Sequence, residues 1–250
     1  MIDTIKKIAL SIFSRSAFRE LGWYTIAQIV NNILSFGSII FVSRYLGPIN
    51  LGLYSFVQIY LAAFISVLSS LDIYHNWRIV NSGSPYKEVV TYVFQKSLLT
   101  FLVLFLIGSV SFFILPVDVF ELIIIMFIPV IFSTLSSILF LAQYEKKAKL
   151  VSLSMIVSSV CLFIFKLVSV YTNMPLKVFV FINSLDGILL YVLVTWYFFK
   201  RKSFKKELLS NFDFRLKSYV GLFKTSLYSF VYTAFWYVVL RADQFVVPFL

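Results

Sequence analysis

The sequence predicts an all-α polytopic membrane protein, and three observations carry that prediction. Six apolar runs, at approximately 21–43, 53–73, 97–115, 122–142, 151–171 and 177–199, follow one another with short connections apart from 74–96. Each is long enough to cross a bilayer as a helix, which takes about 20 residues. The chain is 60% hydrophobic and only 13% charged, with a mean hydropathy of +0.93, far from the composition of a soluble domain. Finally, the lysines and arginines of the connections fall almost wholly on one side of the implied membrane.

Residues 1–20 are basic and mixed, with Ile5, Ile8, Leu10, Ile12 and Phe13 set between charges. No small-residue cleavage site leads into a soluble domain, so this stretch is predicted to be a cytoplasmic amphipathic segment lying in the interface. The first two runs flank Arg44-Tyr45-Leu46-Gly47-Pro48-Ile49-Asn50-Leu51-Gly52-Leu53-Tyr54-Ser55. Gly47 and Gly52 give backbone freedom and Pro48 stops the preceding helix, so the stretch is predicted to be the tight turn of a membrane hairpin. Lys6, Lys7, Arg15 and Arg19 precede the first run. Arg78, Lys87 and Lys96 fall in the second connection, Lys146, Lys147 and Lys149 in the fourth, and seven more cations lie between 200 and 219. The alternate connections hold only Arg44 and Lys177. By the positive-inside rule the N-terminus is cytoplasmic and the 44–55 turn faces outward. The net charge of +11 is therefore topogenic, and nucleic acid is not expected as a partner.

Aromatic residues gather near the ends of the runs, at Trp23, Tyr45, Tyr74, Trp77, Tyr144, Tyr171 and Trp196, as an interfacial belt requires. The single Cys161 and the single His75 leave no disulfide framework, cysteine metal site or His-based catalytic scheme within one chain. There is no phosphate-binding glycine loop and no carboxylate cluster with metal spacing. The sequence does not read as an enzyme and implies no cofactor.

Polar residues inside the runs are the candidate functional groups, because in lipid they are costly and face a bundle interior or a water-filled path. Tyr24, Gln28, Asn31, Ser35 and Ser38 recur every three or four residues and form one helical stripe, with Asn32 beside it. The stripe fits either interhelical hydrogen bonding or a cavity lining. The fifth run puts Ser152, Ser159 and Lys166 on one face, and the sixth carries Asn183, Asp186 and Gly187. At about 1.5 Å per residue, Asp186 lies roughly 6 Å deeper than Lys166, within reach of its long stem. A Lys166–Asp186 pair is expected, either as a structural neutralisation or as a proton or cation relay. A seventh run begins near Val220 and presents Ser229, Thr233, Tyr237 and Arg241 on one face, with Asp243 following.

Arg44-Tyr45-Leu46-Gly47-Pro48 followed by Leu51-Gly52-Leu53-Tyr54-Ser55 resembles the first-hairpin signature of the polysaccharide-biosynthesis membrane proteins. These are the Wzx-type, O-antigen and capsule flippases of lipid-linked oligosaccharides, within the multidrug/oligosaccharidyl-lipid/polysaccharide exporter superfamily. Ser69-Ser70-Leu71-Asp72 through Trp77-Arg78-Ile79-Val80 is similar to that family's second-span exit, and Arg241-Ala242-Asp243-Gln244 to the opening helix of its second half. The resemblance implies two six-helix lobes related by a pseudo-two-fold axis. On that reading 21–199 is a six-helix N-terminal lobe, 200–219 a basic cytoplasmic inter-lobe loop, and 220–250 the first helix of a second lobe. Phe41–Leu46 aligns with Phe245–Leu250, so the chain is expected to be an N-terminal fragment ending where the equivalent of Gly47 would follow.

The resemblance also implies a function. The parent protein would move an undecaprenyl-diphosphate-linked oligosaccharide from the cytoplasmic to the outer leaflet of a bacterial inner membrane by alternating access. Arg44, Arg78 and Arg241, with Lys166 as a fourth, are candidates for phosphate or sugar contact, since guanidinium binds phosphate oxygens in bidentate fashion. Gln28, Asn31 and Asn32 suit sugar hydroxyls, and Asp186 and Asp243 suit coupling to H⁺ or Na⁺. Glycan polymerase or assembly proteins are the expected protein partners. Two other readings stand beside this one: an ion-coupled drug or organic-cation exporter of the same superfamily, and a non-transporting scaffold of a glycan assembly complex. A scaffold would need no cavity, and a dry interface along Gln28, Asn31 and Ser35 would mark it.

Overall fold

The computed structural model describes residues 15–69, 72–81, 83–200 and 231–232. Apart from short turns the described residues are helical, with no strand among them. The order is α1 (Arg15–Ser69), α2 (Asp72–Asn81), α3 (Pro85–Ile114), α4 (Val117–Phe132), a 3₁₀ turn (Ser133–Leu135), α5 (Ser136–Tyr144), α6 (Ala148–Tyr171), α7 (Leu176–Ser184) and α8 (Ile188–Phe199). Five stretches are long and apolar enough to cross a membrane: Phe18–Tyr60, Pro85–Ile114, Val117–Tyr144, Ala148–Tyr171 and Leu176–Phe199.

α1 is not straight. Gly47 has φ 70 and ψ 175, a conformation outside the helix region and essentially reserved for glycine. Pro48 follows as the first residue of the second arm, where its missing N–H costs nothing. A straight helix would hold Asn31 and Ile65 about 51 Å apart at 1.5 Å per residue, yet both line one cavity. The chain therefore doubles back at Gly47, and the expected hairpin is present. Its turn is sharper than the 44–55 stretch suggests, because a single residue breaks the helix.

Three further boundaries differ from the sequence reading. The connection 74–96 is largely helical, since Asp72–Asn81 forms α2 and Pro85 opens α3. Arg78, Lys87 and Lys96 lie on these helices rather than in a loop. The run 122–142 is interrupted by the 3₁₀ turn at Ser133–Leu135, just after Pro129, whose ring removes a helical hydrogen bond. The run 177–199 breaks at Leu185–Gly187, where Gly187 adopts φ 66. Apart from Val231 and Tyr232, the seventh run lies outside the described residues, as does nearly all of 200–219.

Three apolar clusters hold the bundle: one toward each end, and one of Leu68, Tyr92, Leu104 and Val130 joining α1, α3 and α4. At the basic end Ile79, Val89, Val90, Ile138, Leu141, Val151, Val194 and Phe198 pack together. There Lys149 lies 5.5 Å from the Trp23 ring centroid and Arg78 pairs with Glu88 at 3.0 Å. At the opposite end Val42, Leu46, Tyr54, Val57, Leu122, Met126, Phe179 and Val180 form the second cluster. The Tyr45 hydroxyl donates to the Met174 carbonyl at 2.9 Å, tying the hairpin turn to the α6–α7 connection. Lys177 pairs with Glu121 at this same end. The alternation of the connections between two ends is thus realised in three dimensions. Large apolar side chains such as Phe105 and Phe113 point outward, as expected where lipid is the solvent. Between the two end clusters, the side of the bundle bounded by α1, α4, α6 and the α7–α8 break is polar.

Candidate functional site

The polar middle is built by α1, α4, α6 and the α7–α8 break. A cavity of about 330 Å³ is lined by Asn31, Ile65, Pro129, Ser133, Met155, Ser158, Ser159, Asn183, Asp186, Gly187, Leu190 and Tyr191. Beside it lies a much smaller space, a narrow neck lined by Ser35, Ser38 and Lys166 and sharing Asn31, Ser159 and Asp186 with the cavity. The elements that open this space are the two helix interruptions. The break at Leu185–Gly187 falls midway along Leu176–Phe199, and discontinuous helices at that depth are where membrane transporters place their sites.

Several polar groups here are fixed by their neighbours. Ser159 Oγ donates to Asn31 Oδ1 at 2.8 Å and lies 2.9 Å from its own i−4 carbonyl, Met155 O. This bond joins α1 to α6, which form the most extensive helix pair of the bundle. Lys166 Nζ donates to Asn183 Oδ1 at 3.2 Å. Asp186 Oδ1 accepts the Gly187 N–H at 3.0 Å, and the residue is otherwise exposed to the cavity. Ser158 is buried at the cavity wall, and its Oγ has no hydrogen-bond partner.

The expected Lys166–Asp186 pair is not formed. Asn183 and Asp186 would share a helix face if the run were continuous. α7 ends at Ser184 and Gly187 reverses the local backbone, so the carboxylate turns onto its neighbour's N–H while Asn183 meets the ammonium. Lys166 and Asp186 still line the same neck.

The first-span stripe divides. Asn31 faces the cavity, and Ser38 is buried with its hydroxyl on the Ser35 carbonyl at 2.8 Å. Gln28 and Asn32 are exposed and bond to each other, Nε2 to Oδ1 at 3.0 Å. Neither lines the cavity, although the sequence groups them with Asn31. Arg44 is exposed at the end opposite the basic cluster. Arg78 sits at the basic end and is already engaged by Glu88. Arg241 and Asp243 lie outside the described residues. Of the candidate site residues, the structure brings together Asn31, Lys166 and Asp186.

A second polar centre has no counterpart in the sequence reading. Lys96, only 1% exposed, donates to Asp72 Oδ1 at 2.7 Å, to Asp72 Oδ2 at 2.9 Å and to Ser136 Oγ at 2.9 Å. Ser136 Oγ in turn donates to Asp72 Oδ2 at 2.9 Å, and the Tyr92 hydroxyl donates to Asp72 Oδ1 at 2.8 Å. His75 stacks on Tyr92 with ring centroids 3.8 Å apart. All three ammonium hydrogens are used, and α2, α3 and α5 are pinned together. The positive-inside count places Lys96 in a connection; it is instead a buried partner of Asp72, and His75 beside it is buried too. Only the pairing of an acid with a base 24 residues on could have signalled this, and local spacing does not reveal it.

A fold of apolar helices around a polar cavity suits membrane transport without naming a substrate. Residues 17–250 match the family model described as Polysaccharide biosynthesis protein. The chain belongs to this family. Searches of curated proteins and of solved structures returned no match. Family membership and the five candidate spans together make it a multi-pass membrane protein of polysaccharide biosynthesis.

Proposed function

We propose that the chain forms part of a flippase that carries an undecaprenyl-diphosphate-linked oligosaccharide from the cytoplasmic to the outer leaflet of a bacterial inner membrane. The family match over 17–250 is the observation that carries this reading. The polar cavity supports it over a scaffold, because Asn31 borders open space rather than a dry helix interface. The excess of Lys and Arg at one end supports a cytoplasmic N-terminus.

In this proposal Arg78 stands at the cytoplasmic mouth, held in place by Glu88, and exchanges that carboxylate for a substrate phosphate oxygen. Arg241 plays the corresponding part in the second half, and Arg44 anchors the outer end. Asp186 and Asp243 serve coupling.

Complementation of a flippase-null strain with the full-length gene tests the reading. A charge-assisted hydrogen bond contributes about 1.5–3 kcal/mol, or about tenfold or more in affinity. Arg78→Ala and Arg241→Ala should each lower surface polysaccharide by about that factor. Normal surface polysaccharide in both variants would remove the arginines from the substrate path. No restoration by the unaltered gene would remove the flippase reading itself.

A further inference from the structure

We propose that the outer seam between α1 and α6, at the basic end of the bundle, is a binding site for one anionic phospholipid. Arg19 and Lys149 hold its phosphate beside the Trp23 ring, and an acyl chain lies along the seam below. The site is separate from the polar cavity and does not depend on what the protein carries.

Helical position gathers the parts of this site on one side of the helix pair. Asn31 and Ser159 mark the inner side, where they bond to each other and border the cavity. The outer side is marked by Lys149, whose Nζ lies 5.5 Å from the Trp23 ring centroid. Further along it, the Phe163 ring comes within 3.4 Å of the Cβ position of Gly37. Arg19 is exposed and precedes Trp23 by one turn on the same face of α1. Lys147 stands just before the first turn of α6.

These cations have no counter-charge in the bundle. Among the described residues, none of Arg19, Lys147 and Lys149 meets a carboxylate within ion-pair distance. Glu145, two residues before Lys147, is engaged by the Tyr86 hydroxyl. Glu20 shares the face of Tyr24 rather than that of Trp23. A lipid phosphate supplies the charge that is wanting, whereas a zwitterionic headgroup brings its own ammonium among like charges. Trp23 suits the same depth, since an indole ring settles at the headgroup level. Below the cations the seam turns apolar: Leu153 and Val160 of α6 and Ile26 and Ile33 of α1 are exposed. From Lys149 to Val160 the rise is about 16 Å at about 1.5 Å per residue. That is about half of the roughly 30 Å hydrocarbon core, the depth of one leaflet.

Two comparisons sharpen the assignment. Lys200 also lies over a tryptophan, at 3.5 Å from the Trp196 centroid, but that contact joins α8 to its own C-terminal cap and bridges no second helix. It is the control for surface charge alone. A carrier lipid bound for the cavity would have to reach the inner side of the pair, and the Asn31–Ser159 bond lies between the two sides. A phosphate at the seam is therefore a resident of the membrane surface that fastens α1 to α6.

The test is native mass spectrometry of the full-length protein in detergent, titrated with dioleoyl phosphatidylglycerol or dioleoyl phosphatidylcholine. The first phosphatidylglycerol should bind about tenfold or more tightly than phosphatidylcholine, and the double variant R19Q/K149Q should abolish that preference. Lys149→Arg and Lys200→Gln should each preserve it. Lipid-free melting temperatures near that of the unaltered protein confirm that the variants fold. Equal binding of the two lipids overturns the proposal, as does a preference that survives R19Q/K149Q. A loss in Lys200→Gln as large as in the double variant would reduce the effect to general surface charge and overturn the site. Displacement of phosphatidylglycerol by an equimolar amount of undecaprenyl diphosphate would make the seam a cargo site instead.

Discussion

Lys96→Met should destabilise the protein by about 3–5 kcal/mol, the cost of leaving a buried partner charge without compensation. Asp72 is 15% exposed and its carboxylate is held by Lys96, Tyr92 and Ser136. Without the ammonium, two hydroxyl donors must carry a full negative charge inside the bundle. Asp72→Asn alone should cost a comparable amount, because it strands Lys96 in turn. The double variant D72N/K96M should recover most of the loss, since both charges are gone, and of Tyr92 and Ser136 one still donates to the amide oxygen while the other can accept from the amide NH₂. Thermal unfolding of the purified protein and its three variants in detergent measures the coupling. Strictly additive losses would mean that the pair does not pin α2, α3 and α5 together.

The second large effect is expected at the hairpin. Gly47→Ala should cost about 1–3 kcal/mol, the strain of a side chain held in a glycine-only conformation. An added Cβ meets nothing within 4 Å there, and φ is +70, so the whole cost is torsional. Gly52→Ala is the control of opposite sign. It lies within the second helical arm with equally open surroundings, and replacing a helical glycine gains up to about 1 kcal/mol. Equal effects at the two positions would place the reversal of the chain somewhere other than Gly47.

The hairpin, the helical class and the alternation of connections are legible in the sequence because each depends on composition and local chemistry. Gly47-Pro48 marks its own turn, and Tyr45 and Trp196 lie close to the ends of helical arms. The helix breaks are not legible. Ser133–Leu135 and Leu185–Gly187 interrupt runs that remain apolar when averaged over a span length, and that average hides the local polar and glycine residues at which the backbone changes conformation. That one omission explains the Lys166–Asp186 expectation, which assumes that Asn183 and Asp186 share a continuous helix. The burial of Lys96 escapes the sequence for a related reason. Counting cations near the end of a run treats each as solvated, and only the return of α2 against α3 brings Asp72 to it. Within the candidate site, periodicity correctly gathers Asn31, Ser35 and Ser38 on the α6 side of α1. It cannot separate them from Gln28 and Asn32, because a stripe about 100° wide spans both the buried and the exposed edge of a helix.

The most direct test of transport is a leaflet-resolved assay on the full-length protein in proteoliposomes. A fluorescent oligosaccharide linked to undecaprenyl diphosphate, quenched only from the outside, reports its passage between leaflets. Protein-containing vesicles should equilibrate the label much faster than protein-free vesicles, and Asp186→Ala should slow the exchange. Exchange no faster than in protein-free vesicles would contradict transport by this protein.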